Sequence, residues 1–157
     1  MKKYSPIKLT IIIIIAFILF GVFGYLHREN SYTETWLVCE YPNKYTNYTE
    51  TLKFRYIDEL YGYYREELLE TTTKEKLEEE YKYFEDIKNG LEESETFSYD
   101  IKKQKNSLRI KTYIEVKEQK EFFDYYMKDM KITSTDTIDL IQVELEGLGY
   151  TCKVSKK

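Results

Sequence analysis

Phe97–Val116 reads FSYDIKKQKNSLRIKTYIEV. Phe97, Tyr99 and Ile101 alternate with Ser98, Asp100 and Lys102. After a polar tip, Lys103 to Ser107, the residues Leu108, Ile110, Ile114 and Val116 stand against Arg109, Lys111 and Glu115. A period of two puts the apolar set on one side of a strand and the charged set on the other. Two such runs around a short polar tip predict an antiparallel hairpin with one face buried and one wet. The buried face needs an apolar partner layer, and the flanking sequence offers helices for it.

Upstream, Trp36–Tyr41 is β-rich and ends at the turn pair Pro42-Asn43. From Tyr48, Leu52, Phe54 and Tyr56 alternate with Lys53 and Arg55, a second strand. Asp58–Gly62 interrupts it, with Gly62 as the expected turn residue, and Tyr63–Thr71 predicts a third strand pairing back. Thr72-Thr73-Lys74-Glu75 has the form of a capping box, Thr72 giving the hydroxyl and Glu75 the return bond. Leu77, Tyr81, Phe84, Ile87 and Leu91 follow at helical spacing, and Gly90 closes that helix. Glu78, Glu79 and Glu80 are consecutive on it, so they diverge and form a solvated face, not a cation site.

Downstream, Lys117–Met130 predicts a helix with Phe122, Tyr126 and Met130 stacked four apart. Asp136 is placed to cap a last helix with the stripe Ile138, Ile141, Leu145 and Leu148, stopped by Gly147 and Gly149. Tyr150–Val154 makes a short closing strand. The order β-β-β-α-β-β-α-α-β predicts an α+β domain over residues 36–155, an antiparallel sheet with helices on one face.

Ahead of this domain, Leu9–Leu26 (LTIIIIIAFILFGVFGYL) has no charged residue. As a helix it would span about 27 Å, close to the thickness of a bilayer's hydrocarbon core. Lys2, Lys3 and Lys8 precede it. The pattern predicts a single-pass signal-anchor at the plasma membrane, with residues 1–8 as a cytoplasmic tip and the body outside. Residues 27–35 read as a juxtamembrane tether. The alternative is a signal peptide cut near Val22-Phe23-Gly24, which would leave the body secreted. No cysteine follows the run, so the sequence has no site for a lipobox lipid.

The basic tip takes three of the 24 Lys and Arg residues, so the body carries 21 against 28 acidic residues, a net charge near −7. Phosphate backbones reward the opposite sign, which argues against nucleic acid as a partner. Lys102, Lys103 and Lys105 form a local basic cluster, read as a solvated hairpin tip. The lone histidine, His27, falls at the membrane edge, and no GxSxG, HExxH, P-loop, GxGxxG or calcium-loop motif occurs. No cofactor, no metal site and no catalytic residue is therefore assigned. Paired carboxylates acting on glycan stay open, because nothing among so many acids selects a pair.

Cys39 lies on the first expected strand and Cys152 on the last. If those strands are neighbours, a disulfide joins the ends of the domain, as suits a compartment outside the cytoplasm. Two separate buried thiols are the alternative. The chain has 17 tyrosines. Tyr61, Tyr63 and Tyr64 cluster near one turn, and Tyr41, Tyr45 and Tyr48 flank another. Aromatic rings with polar tips suit carbohydrate and protein surfaces, so these six form the candidate binding surface. Serving only as strand residues is the simpler alternative.

The export segment, strand meander, Lys/Glu-rich helix, hairpin and closing Leu148-Gly149-Tyr150-Thr151-Cys152 resemble the YehR-like proteins, small bacterial lipoproteins of unknown function. The likeness covers residues 36 to 155 and implies location and fold, with no catalytic residues to carry over. This chain departs from it by lacking the lipobox cysteine. The sequence therefore predicts a membrane-anchored, non-enzymatic extracytoplasmic module that binds an envelope protein or glycan at a bacterial cell surface. A carboxylate enzyme acting on glycan and a membrane-associated regulatory partner are the alternatives.

Overall fold

The computed structural model describes residues 33–41, 48–71 and 73–156. The expected anchor Leu9–Leu26, the cytoplasmic tip, most of the tether, and Tyr45 lie outside them. Among the described residues no helix is long and apolar enough to cross a membrane. The compact unit built around the sheet begins at Glu34.

The elements follow the expected order. Strands are β1 (Thr35–Tyr41), β2 (Tyr48–Ile57), β3 (Glu59–Glu70), β4 (Phe97–Lys103), β5 (Ser107–Glu115) and β6 (Thr151–Lys156). Helices are α1 (Lys74–Asn89), α2 (Lys120–Tyr126) and α3 (Ile138–Gly147), with a 3-10 turn at Lys128–Met130. The six strands form one sheet in the order β4-β5-β3-β2-β1-β6, every neighbouring pair antiparallel.

Alternation sets the core. Leu37 and Cys39 of β1, Leu52, Phe54 and Tyr56 of β2, and Leu108, Ile110 and Ile114 of β5 all turn to one face. There they join Leu77 of α1, Phe123 of α2, and Ile141 and Leu145 of α3 in a single apolar cluster. The helices thus supply the cover that the hairpin pattern requires.

The β2–β3 turn differs from the expectation. The chain reverses at Asp58, whose φ of 66° is the left-handed value that short polar residues tolerate. Gly62 lies within β3, where Arg55 pairs with Gly62 but Tyr56 pairs with Leu60, leaving Tyr61 as a bulge residue. The bulge has a packing purpose. Leu60 and Tyr63 are an odd number apart, and only an inserted residue lets both face the core.

Helix boundaries moved for similar local reasons. Thr73 caps α1: its side chain accepts from the Lys76 N–H, and the residue three on is that lysine, so this cap has no glutamate to return the bond; Thr72 lies outside the described residues. The second helical region is shorter than Lys117–Met130, and its deeply buried residues are Phe123 and Met127, one position on from Phe122 and Tyr126. Asp136 does not cap α3. Its carboxylate accepts from the Thr133 N–H at 2.7 Å, closing the preceding turn, and Thr137 takes the cap position. Leu148 ends up 49% exposed, because α3 stops before the stripe's last turn.

β1 is the hinge of the design, pairing with β2 on one side and β6 on the other. Cys39 stands directly opposite Cys152 in that register, with Cα atoms 4.1 Å apart, and the two are disulfide-bonded. β6 buries almost nothing of its own. Its hold on the sheet comes from backbone pairing and this crosslink, which closes a loop of 113 residues.

Candidate functional site

The sheet has a second face, formed by the residues that the core alternation leaves over. Across β1, β2, β3 and β5 it presents Trp36, Lys53, Arg55, Tyr64, Lys111 and Tyr113, mostly half-buried. A shallow trough of about 500 Å³ runs over it, and every wall residue belongs to a strand. No helix among the described residues lines it.

Three rings form a row along this trough. Tyr64 and Tyr113 are cross-strand partners with centroids 4.6 Å apart, and Trp36 stands 5.5 Å from Tyr64. Gly62 lies beneath the row, where a Cβ would meet ring carbons of both Tyr64 and Tyr113 at 3.6 Å, an ordinary van der Waals contact. Arg55 lies over Tyr61 at 5.0 Å and over Trp36 at 5.9 Å, a cation above π faces. Glu34 fixes that arrangement, accepting from Arg55 Nε at 2.8 Å and from Trp36 Nε1 at 2.6 Å. Burial beneath its neighbours pushes the Tyr113 hydroxyl up to about 12, so it stays a neutral donor at physiological pH. Lys53, Lys111, Glu66 and Asp100 border the row with both signs of charge. Rings beside mixed donors and acceptors can stack on and hydrogen-bond a polar partner.

The helix-covered face holds a second polar constellation. Glu50 of β2 and Glu67 of β3 are register partners, 5% and 8% exposed, and Arg65 sits between them. Arg65 Nη2 donates to Glu67 Oε1 at 3.1 Å, and Nη1 donates to the Tyr126 hydroxyl at 3.0 Å. Its Nε lies 2.5 Å from Glu50 Oε1, close enough for a strong charge attraction but off the angle of a hydrogen bond. Tyr48 donates to Glu67 Oε1 at 2.8 Å and Tyr150 to Glu50 Oε2 at 2.5 Å. Two carboxylates thus share one guanidinium and two phenols. Burial raises the Glu67 carboxyl above its usual range, with Arg65 and the Tyr48 bond pulling the other way. The carboxylates are occupied by their own network, which is the condition for tolerating charge in an interior.

The six tyrosines singled out in the sequence divide between these faces. Tyr64 belongs to the exposed row, and Tyr61 borders it under Arg55. Tyr63 is 0% exposed, packed against Phe54, Phe123 and Tyr126, and it presents nothing to a partner. Tyr48 bonds Glu67, while Tyr41 packs on Tyr150 at 5.1 Å on the helix side. Tyr45 lies outside the described residues. Trp36 and Tyr113 were missed, although both occupy the off-phase positions of their strands, next to Leu37 and Ile114. Among the described residues no group of three or more His, Cys, Asp or Glu side chains could hold a metal ion. No family model, no curated protein and no solved structure matches this chain.

Proposed function

We propose that this chain is a non-catalytic binding module, held at a bacterial plasma membrane by Leu9–Leu26 with its α+β domain outside the cell. The open sheet face is the binding surface, and the partner is an envelope protein or glycan. The observation that carries this reading is the row Trp36–Tyr64–Tyr113 on a face that the described helices leave bare. Rings in that setting add contact area at low entropic cost, and the charges around them give direction. The Cys39–Cys152 bond supports the outside location, since disulfides persist in oxidising compartments. The resemblance to YehR-like lipoproteins suggests the same location.

The test is retention of the full chain, in detergent, on purified envelope polysaccharide and on envelope protein fractions. Tyr64→Ala with Tyr113→Ala should abolish retention while circular dichroism and the disulfide stay intact. Unchanged retention would remove the open face from the proposal. A carboxylate enzyme draws support from the Glu50–Glu67 pair and its raised carboxyl. It is the weaker reading, because Arg65, Tyr48 and Tyr150 already engage those oxygens.

A further inference from the structure

At the tip of the β4–β5 hairpin, away from the aromatic row, a cavity of about 360 Å³ lies against the start of α1. Two hydrogen bonds bring its walls together. The Thr71 N–H donates to the carbonyl of Asn106 at 2.9 Å, which ties the end of β3 to the hairpin tip. Thr73 then caps α1 on the spot by accepting from the Lys76 N–H at 3.3 Å. The first turn of a 16-residue helix therefore opens onto the cavity. Such a turn carries N–H groups without intrahelical partners and a partial positive charge.

The charge balance of the walls is the reverse of the domain's. Lys74, Lys103 and Lys105 line the cavity against a single carboxylate, Glu78, and that one is already paired with Lys103. A helix start and surface lysines are common enough to mean little by themselves. Thr71 adds an independent observation. It lines the same cavity, is only 8% exposed, and its buried Oγ1 has no hydrogen-bond partner. Buried hydroxyls are rarely left so, because the lost bond to water is not replaced.

The geometry points to an oxyanion site at this position, taking a phosphate or sulfate group. The anion's oxygens accept from Thr71 Oγ1 and from the first-turn N–H groups of α1, while Lys74 and Lys105 balance its charge. The site shares no residue with the open sheet face and stands whether or not that face binds a partner. It also gives Lys103 and Lys105 of the hairpin-tip cluster a role beyond solvation.

The experiment titrates inorganic phosphate into the full chain in a neutral detergent, against sodium chloride at matched ionic strength. Amide resonances of Thr71, Lys74 and Asn106 and the melting temperature are followed together. Phosphate should produce a saturable shift at these amides and raise the melting temperature, and chloride should do neither. Thr71→Val keeps the shape and removes the hydroxyl. It should weaken phosphate binding by about tenfold or more, the worth of a hydrogen bond to a charged group, while the phosphate-free melting temperature holds or rises. Lys105→Glu, at an exposed position, should weaken it several-fold without touching the core. Neutral vesicles with and without phosphatidylglycerol, carrying the full chain, separate a lipid headgroup from a free ion: a phosphatidylglycerol-dependent shift of these amides that phosphate competes away supports the site with lipid as its source. Absence of saturation, an equal response to chloride, full affinity in Thr71→Val, or a phosphatidylglycerol-dependent shift that phosphate does not compete would each overturn the proposal.

Discussion

Replacing Arg65 with methionine tests whether the buried charges hold the sheet and helices together. Arg65 meets Glu50 at 2.5 Å, Glu67 at 3.1 Å and the Tyr126 hydroxyl at 3.0 Å. Methionine fills a similar volume, so packing changes little, but two facing carboxylates would be left with no cation between them. Breaking a buried pair by removing one partner costs about 3–5 kcal/mol. Against the 5–15 kcal/mol typical of a domain, about a third of the stability would go. The loss should depend on pH in a definite direction. Glu67's carboxyl is raised, so its contribution to stability is fully present below the unfolded value and is lost as pH rises through the folded one. Arg65 is the main influence holding that value down, and its removal moves the window upward. Arg65→Met should therefore be most destabilising at neutral pH and recover on mild acidification. Adding Glu67→Gln should restore part of the neutral-pH loss, since the amide keeps an acceptor for Tyr48. Urea titrations of the full chain in detergent, read by Trp36 fluorescence over about pH 5 to pH 8, measure both variants against the unsubstituted chain. A penalty below about 1 kcal/mol, or one flat with pH, would refute the reasoning, because it is the size of an exposed ion pair.

Replacing both Cys39 and Cys152 by alanine should lower stability by up to about 4–5 kcal/mol in the chain-entropy account, and hydrogen exchange should show β6 amides opening first. Phe123→Ala removes the apolar centre of α2, is expected to cost about 3–5 kcal/mol, and is measured by the same urea titration. The two glycines near the tyrosines should behave oppositely. Gly62→Ala meets only ordinary contacts and should hold or gain stability by a few tenths of a kcal/mol, roughly, whereas Gly149→Ala, at a φ of 94°, should lose about 1 kcal/mol or more. Thermal melts of the pair side by side decide it.

The parts of the fold that were legible in advance are those set by short-range periodicity. Leu52, Phe54 and Tyr56 against Lys53 and Arg55 needed no knowledge of what lay above them. Positions that failed were those where a neighbour in sequence competes for the same local role. Thr72 and Thr73 are both good caps by residue type, and Asp136 and Thr137 likewise; at the second pair the Asp136 carboxylate is taken by the Thr133 N–H and Thr137 stands at the cap. Phe122 and Phe123 are equally apolar; the one aimed at Tyr63 and Phe54 becomes core. The tyrosine cluster at 61–64 misled for a related reason. Proximity along a strand sends Tyr63 and Tyr64 to opposite faces, so the surface row recruits Trp36 and Tyr113 from distant strands instead.

Sequence by itself determined the element order, the antiparallel sheet, the core-facing alternation and the acidic character of the body, because each depends on side-chain spacing or a simple count. Tertiary structure alone decided how strands not joined by a hairpin pair, β3 with β5 and β1 with β6, and the register of every pair. That pairing set Cys39 against Cys152, placed Arg65 between Glu50 and Glu67, and brought Thr71 beside Lys105. Residues so far apart in the chain meet only through sheet order and register, and no local pattern encodes either.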